Sequence, residues 1–278
     1  MMYIGKIVIY AYLLELMGEE INDYMDVEPS GMAFNAPAFN KEKKPHNPLV
    51  TSGAIMVCFL LLRLKKGISE ILNFYQSATQ QKDIEVDEDV FKEHKVRGYT
   101  THAMASLMLA NKAFCKQGSQ EVVTKDQVDM ALDLYFQVCA ILVNVESLSR
   151  FGAMLANDGV NPSSGQRVLK AKTIKVVVTV MSTCGMYENA GKFLVRFGLP
   201  TKCGLSGGLL SVVPGIGSIV SWSPRLNSQM NTEKGLGLLE RLGENYNNFN
   251  LFHKDHLKKD ILAKPYQTTI MSVTAAIQ

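Results

Sequence analysis

The feature that most constrains the fold is a change of hydrophobic periodicity near residue 198 of this 278-residue chain. Before it, apolar residues recur at helical spacing near 4–22, 50–76, 98–114, 126–143, 145–157 and 170–183. After it come two β-rich runs, 209–213 and 216–222, separated by Pro214-Gly215, which is a hairpin signal. The pattern predicts a fold of the α/β (α+β) class, with a helical cluster packed on a small antiparallel sheet.

Further signals complete this outline. A third strand-like run covers 199–204, and helix resumes over 232–242. Thr124 is a helix start signal, and the composition of 161–165 indicates a turn. The segment 29–48 carries Phe34 and Phe39 and lacks helical periodicity. Its length is compatible with a functional loop and equally with a long surface connection.

Composition narrows the classes of function. The 29 basic and 26 acidic residues form no basic stripe, so no nucleic-acid partner is predicted. No run reaches the roughly 18 uncharged apolar residues of a membrane-spanning helix, so no membrane partner is predicted either. The five cysteines are widely spaced and odd in number, which indicates free thiols in a reducing compartment. None of the histidines pairs with a cysteine at metal-ligand spacing, so no metal site is expected.

The richest stretch for chemistry is 184–224, which reads CGMYENAGKFLVRFGLPTKCGLSGGLLSVVPGIGSIVSWSP. It couples Tyr187 and a Lys202-Cys203-Gly204 segment to the predicted strands, which is the layout of an active-site wall. A Lys-x-Gly strand of this kind normally faces a Ser-x-x-Lys nucleophile motif. The chain contains no Ser-x-x-Lys.

Longer motifs follow one another through most of the chain: VEPSG (27–31), KPHNPLV (44–50) running into GAI (53–55), LYFQ (134–137), ES (146–147), LANDG (155–159), GQRVL (165–169) and MSTCGMY (181–187). Together with the 184–224 stretch, they resemble the glutaminases. This family is a branch of the serine β-lactamase and penicillin-binding superfamily that hydrolyses L-glutamine to glutamate and ammonia.

The resemblance implies a mechanism. A serine, activated by a lysine one helical turn later, attacks the side-chain amide of glutamine. Tyrosines relay protons to the departing ammonia, and no metal or organic cofactor is needed. By position, Tyr187 matches the tyrosine that shuttles protons and Lys202 the lysine of the wall strand, which makes both catalytic candidates. Tyr135 and Leu205 match substrate-binding positions.

Other family positions are altered. The Ser-x-x-Lys motif falls on Tyr3-Ile4-Gly5-Lys6, or one residue earlier, and neither alignment supplies a serine. Thr51 stands where the family has a substrate-binding asparagine. The family's glutamate falls on Glu93 or His94, and its asparagine, seven residues later, falls on Thr100 or Thr101. A threonine hydroxyl cannot replace the paired donor and acceptor of an amide.

The resemblance also implies two strands and a tyrosine ahead of the serine motif, and we expect this chain to lack them. Residues 1–250 are then an incomplete catalytic domain of serine β-lactamase-like fold, with the helical lobe at about 50–183 and strands at about 199–223. Residues 251–278 are expected to form a C-terminal tail. The last strand would present an open, apolar edge, because the superfamily's first strand pairs with it.

Two interpretations of function are open. In the first, the chain is a glutaminase whose remaining catalytic residues lie upstream, so that it is inactive as given. In the second, it is a pseudoenzyme that binds and regulates active glutaminase subunits. The expected partners are L-glutamine and either a homo-oligomer or a hetero-oligomer with an active paralogue. The family implies an intracellular location, mitochondrial or cytoplasmic.

Overall fold

The computed structural model describes residues 1–116, 118–246 and 249–253. Its helices are α1 (Gly5–Met17), α2 (Thr51–Arg63), α3 (Ile68–Thr79), α4 (Glu88–Arg97), α5 (Tyr99–Ala110), α6 (Lys125–Cys139), α7 (Val145–Ala156), α8 (Ala171–Cys184), α9 (Ala190–Phe197) and α10 (Glu233–Asn245). Its strands are β1 (Thr201–Cys203), β2 (Gly208–Val213) and β3 (Gly217–Trp222). Two 3-10 helices cover Gly18–Asp23 and Tyr187–Asn189.

The predicted antiparallel sheet is confirmed, with strand order β1-β2-β3. Strand β2 is buried along its whole length because both of its faces are covered. Its alternate side chains point to opposite faces. Leu210 and Val212 join the core of the helical cluster, and Leu209 and Val213 pack in a second core with Leu239 of α10. The sheet therefore lies between the main helical cluster and the pair α9 and α10.

Helix α1 lies at the centre of the helical cluster. Residues on all its sides are buried, from Gly5 through Ala11 and again at Leu13 and Leu14. A helix that is apolar all round is expected in the interior of a domain. It contacts α2, α3, α6 and α8. Of the helices in the described ranges, none is long and apolar enough to cross a membrane.

The single helix predicted over 50–76 is wrong, because two helices occupy this window. Lys65 adopts a left-handed conformation (φ 58°) just after α2 ends. The backbone N–H of Gly67 then donates to the Glu70 carboxylate at 2.8 Å, which starts α3. A left-handed residue cannot continue a helix, so the chain turns between the two.

The sequence windows also missed α4 and α9. Helix α4 has no buried residue, so it leaves no apolar periodicity to detect. Its start is instead marked by Asp87, whose side chain accepts from the backbone N–H groups of Asp89 and Val90. Helix α9 is short and follows the 3-10 helix Tyr187–Asn189 directly. Its apolar spacing therefore could not be separated from that of the preceding segment.

The predicted loop signals are confirmed. The Thr124 side chain accepts from the backbone N–H of Gln127 at the start of α6. The Asn161 carboxamide accepts from the N–H groups of Ser163 and Ser164 and shapes the predicted turn. The segment 29–48 is irregular. Of the expected tail 251–278, residues 254–278 lie outside the described residues.

Glu15 ties the end of α1 to the start of α8. Its carboxylate accepts from the Lys170 backbone N–H at 3.0 Å and from the Thr173 hydroxyl at 2.6 Å, and it forms an ion pair with Lys170 Nζ at 3.0 Å. Helix α8 has no capping side chain at its own N-cap residue, Lys170. Glu15 therefore caps α8 from a distant part of the chain.

We expect Glu15→Gln to lower the free energy of unfolding at pH 7 by about 1 kcal/mol, the typical worth of a helix cap. Burial disfavours the charged form of Glu15, but the hydrogen bonds from Thr173 and Lys170 outweigh it and lower the pKa. A carboxyl whose pKa is lower in the folded than in the unfolded state stabilises the fold at pH values above its unfolded-state pKa. This stabilisation is lost as pH falls through the folded-state pKa. Urea denaturation at pH 7 and pH 3.5 measures both effects.

Lys170→Met is the matched control because it keeps the backbone N–H and removes only the exposed ion pair. We expect it to cost roughly 0.5 kcal/mol or less. Equal losses in the two variants would contradict the role of Glu15 as a cap.

Candidate active site

The first half of the site comes from the turn that leads into α1. Tyr3 adopts a left-handed conformation (φ 62°), and Lys6 follows it by one helical turn. Lys6 is buried, and its Nζ donates to the Leu49 carbonyl at 3.1 Å. The same amine lies 4.4 Å from the centroid of the Tyr3 ring, over its face. A positive φ at a non-glycine residue is energetically unfavourable, so the surrounding contacts hold Tyr3 in this conformation.

The second half comes from β1 and the segment that follows α8. A Cβ atom on Gly185 would lie 1.8 Å from the Thr201 carbonyl oxygen, so only glycine lets the segment pack this closely against β1. Tyr187, also left-handed (φ 56°), then donates its hydroxyl to the Cys203 carbonyl at 2.8 Å. Lys202 Nζ donates to the same carbonyl at 2.5 Å and lies 4.1 Å from the centroid of the Tyr187 ring.

The two lysines share one electrostatic environment. Both are almost completely excluded from solvent. Burial lowers the pKa of Lys202 to about 8. Burial, reinforced by the neighbouring Lys202, lowers the pKa of Lys6 well below its ordinary value. Because desolvation and like charge both disfavour the ammonium form, this part of the molecule favours neutral amines.

Phe34 packs between the rings of Tyr3 and Tyr187. Its ring lies 5.2 Å from that of Tyr3 and 4.9 Å from that of Tyr187 (centroid distances), and 5.7 Å from Lys6 Nζ. We call these five residues, Tyr3, Lys6, Phe34, Tyr187 and Lys202, the lysine–aromatic cluster. An open cleft of about 270 Å³ adjoins it, and Phe34 and Tyr187 are the cluster members that line this cleft. The sequence had marked Phe34 only as part of a long loop.

The structure brings Tyr135 and Thr51 close to this cluster. The Tyr135 ring, on α6, is buried with its centroid 6.0 Å from Lys6 Nζ, and burial raises its pKa. Thr51 is the buried first residue of α2, and its backbone N–H donates to the Phe34 carbonyl at 2.9 Å. The Thr51 hydroxyl has no hydrogen-bond partner among the described residues.

Leu205 lies in the turn between β1 and β2 and is half-buried. The turn packs closely against the residues before α1: a Cβ atom on Gly204 would lie only 2.4 Å from the Met2 carbonyl oxygen. Leu205 is thus on the segment that joins the two halves of the site. It is not among the residues that line the adjoining cleft.

Glu93 is not brought into the site. It lies on the exposed α4 helix and forms an ion pair with Arg97 at 3.0 Å. Of Glu93 and His94, the two alternative positions for the family's glutamate, His94 is half-buried and Glu93 is exposed. Burial lowers the pKa of His94. Thr101, on α5, is half-buried. One residue of register on a helix turns a side chain by about 100°, which is why the sequence could not choose between neighbours here.

The nucleophilic chemistry of the cluster is limited by its side chains. Burial raises the pKa of the Tyr3 phenol to about 12, so it stays protonated at neutral pH. Burial likewise raises the pKa of the thiols of Cys58 and Cys139, which lie near Lys6. A neutral Lys6 amine is a base, but no serine lies one turn before it. Within the described residues, no cluster of His, Cys, Asp and Glu could hold a metal ion.

Comparison with solved structures identifies the fold. The structure is similar to a Bacillus glutaminase crystallised with NaCl, with a TM-score of 0.80 and 25% identity over 91% of this chain and 84% of that one. The probable glutaminase of Bacillus subtilis gives the same TM-score and identity over 91% of this chain and 82% of its own. The fold, helices packed on a small antiparallel sheet, is therefore the β-lactamase-like fold of bacterial glutaminases.

Sequence comparison agrees. The sequence model of the glutaminase family matches residues 1–252. Glutaminase 2 of Clostridium perfringens is 38% identical over 227 residues, which cover 78% of this chain and 70% of the relative. The glutaminase of Clostridium tetani is 37% identical over 238 residues, 82% of this chain and 73% of the relative. This chain belongs to the glutaminase family.

The buried lysine should make stability depend on pH in a defined direction. Between pH 8 and 10.5 the unfolded chain holds a proton on Lys202 that the folded chain has lost. The free energy of unfolding therefore rises with pH across this window, and the penalty below it is about 3 kcal/mol. We expect Lys202→Met to be more stable than the wild type at pH 7, with the difference shrinking toward pH 10.5.

Urea denaturation at pH 7, 9 and 10.5 checks this. Lys192→Met, which removes an exposed lysine of α9, is the control and should leave stability unchanged at each pH. A Lys202→Met protein that is less stable at pH 7, or a difference that does not vary with pH, would show that burial does not lower the pKa of Lys202.

Proposed function

We propose that this chain is a glutaminase-family protein that keeps part of a site for L-glutamine hydrolysis but, as it stands, does not hydrolyse glutamine through a serine acyl-enzyme. The observation that carries the proposal is Tyr3. It occupies the position one helical turn before the buried Lys6, where the family resemblance places the nucleophilic serine.

A tyrosine is a poor substitute at this position for two physical reasons. Its phenol has a pKa of about 12 in this environment, and the Lys6 amine lies over the ring face, 4.4 Å from the centroid. The amine thus faces the ring and not the hydroxyl oxygen, so it is not placed to withdraw the hydroxyl proton. The ring also fills space beside Lys6 that a serine would leave open to a substrate.

Phe34 adds a second obstacle. It packs between Tyr3 and Tyr187, and it lies on the cleft side of the lysine pair. A glutamine side chain would have to displace this ring before its amide reached Lys6 or Lys202. Thr51, where the family has asparagine, offers one hydroxyl in place of an amide's donor and acceptor.

The remaining roles follow from the family resemblance. Tyr187 is the proposed proton shuttle, since its hydroxyl and the Lys202 amine meet at the Cys203 carbonyl. Tyr135 and Leu205 are the proposed substrate-binding residues. The proposed substrate is L-glutamine, and the chemistry needs neither a metal nor an organic cofactor.

A regulatory role is the second candidate. The fold is kept, with a TM-score of 0.80 to a bacterial glutaminase, while internal site positions such as Thr51 are altered. This combination supports a pseudoenzyme that associates with active glutaminase subunits. Adding the purified chain to an active paralogue should then change the paralogue's kcat or KM in proportion to the complex formed. Failure to co-purify with any such paralogue would count against it.

Ammonia release from L-glutamine tests the main proposal. We expect the folded, purified wild type to release ammonia no faster than a buffer control, because the Tyr3 phenol does not form an acyl-enzyme. Lys6→Met is the matched variant, since it removes the amine that lies over the Tyr3 ring and keeps the chain length. Turnover by the wild type that Lys6→Met abolishes would overturn the proposal, because the activity would then come from this site.

A further inference from the structure

Asn47 lies in the KPHNPLV segment, and its buried side chain makes three hydrogen bonds. Its Nδ2 donates to the Glu28 carbonyl at 2.9 Å. Its Oδ1 accepts from the backbone N–H groups of Leu49 and Val50, at 3.0 and 3.1 Å. Pro48 restricts the residue before it to extended backbone. The Asn47 side chain thus folds the chain into a fixed turn just before α2.

This turn sets the direction of the carbonyl that Lys6 uses. The Leu49 C=O accepts from Lys6 Nζ at 3.1 Å. The other side of the same peptide group, the Val50 N–H, donates to Asn47 Oδ1. A peptide group is planar and trans, so its C=O and N–H point in opposite directions. Holding the Val50 N–H therefore aims the Leu49 C=O at the Lys6 amine.

The same turn anchors Phe34. Helix α2 begins at Thr51, and no side chain caps it at the N-cap residue Val50. The Thr51 N–H donates instead to the Phe34 carbonyl at 2.9 Å. The turn packs closely against this end of α2: a Cβ atom on Gly53 would lie only 1.9 Å from the Asn47 carbonyl oxygen. A shift of the turn would therefore move the N–H to which Phe34 is bonded.

We propose that Asn47 is a positioning residue of the lysine–aromatic cluster: its carboxamide fixes both the carbonyl that orients the Lys6 amine and the start of α2 that anchors Phe34. It acts through the backbone of residues 49–51. The inference rests on the proposed site, but it concerns the amine and not turnover. An amine titration therefore tests it separately from the ammonia assay.

A second Asn-Pro turn shows what the same hydrogen bonds do away from the site. Asn161 precedes Pro162 and is likewise buried. Its Oδ1 accepts from the N–H groups two and three residues later, and its Nδ2 donates to the Ala78 carbonyl at 2.8 Å. This turn holds α3 to the segment between α7 and α8. Comparing the two turns separates the cost of breaking an Asn-Pro turn from the effect on Lys6.

Titration of the lysine side chains by NMR tests the role. Asn47→Leu keeps roughly the side-chain volume and removes all three hydrogen bonds. Loss of a well-aimed carbonyl disfavours the ammonium form, so the Lys6 midpoint should fall by about one pH unit, and the Lys202 midpoint should change less. Asn161→Leu is the matched control. It should lower stability in urea by a similar amount and leave the Lys6 midpoint unchanged.

Asn47→Asp gives a shift of opposite sign and keeps the test decisive if Asn47→Leu does not fold. It retains the oxygen that accepts from the Leu49 and Val50 N–H groups and adds a negative charge, so the Lys6 midpoint should rise. The other groups around Lys6 are the same in every variant: the Lys202 amine, the Cys58 and Cys139 thiols, and the rings of Tyr3, Phe34 and Tyr135. An unchanged Lys6 midpoint in either folded Asn47 variant, or an equal shift in Asn161→Leu, would overturn the inference.

Discussion

The structure buries two lysine amines, Lys6 and Lys202, close enough for the charge of Lys202 to lower the pKa of Lys6 further. Removing an ammonium group from water is costly, and a second one nearby adds repulsion. The fold lowers the pKa of both amines, gives each amine a backbone carbonyl, and places an aromatic ring against each. Lys6 Nζ ties α1 to the segment before α2 through the Leu49 carbonyl, and the Tyr187 hydroxyl ties its segment to β1 through the Cys203 carbonyl.

The core and the candidate site draw on different residues. The core that supports the site comes from α1, α2 and the sheet, and Tyr3 contributes little to it. Tyr3, one helical turn before Lys6, packs against the ring of Phe34, which in turn packs against Tyr187.

How far the sequence predicted the structure depended on burial. Helices with an apolar face and the alternating strands were identified from periodicity, whereas α4 was missed because it buries nothing. The break at Lys65 was missed because a left-handed residue has no clear signature inside an apolar run. For the candidate site, motif resemblance named Tyr135, Tyr187 and Lys202, and the structure places these side chains in or beside the lysine–aromatic cluster. Motif resemblance could not locate Phe34, whose role arises only from tertiary packing, nor decide between Glu93 and His94, which differ by one step around a helix.

The most direct test of this account is to titrate the two lysines themselves. Their side-chain ¹³Cε and ¹⁵Nζ resonances, followed by NMR from pH 5 to 11 and assigned with the Lys6→Met and Lys202→Met variants, report each amine separately. The account predicts a midpoint near 8 for Lys202 and one well below 10.5 for Lys6. Titration of both amines near 10.5, as for lysines in water, would contradict it, because the pair would then be solvated and the aromatic cover would be open.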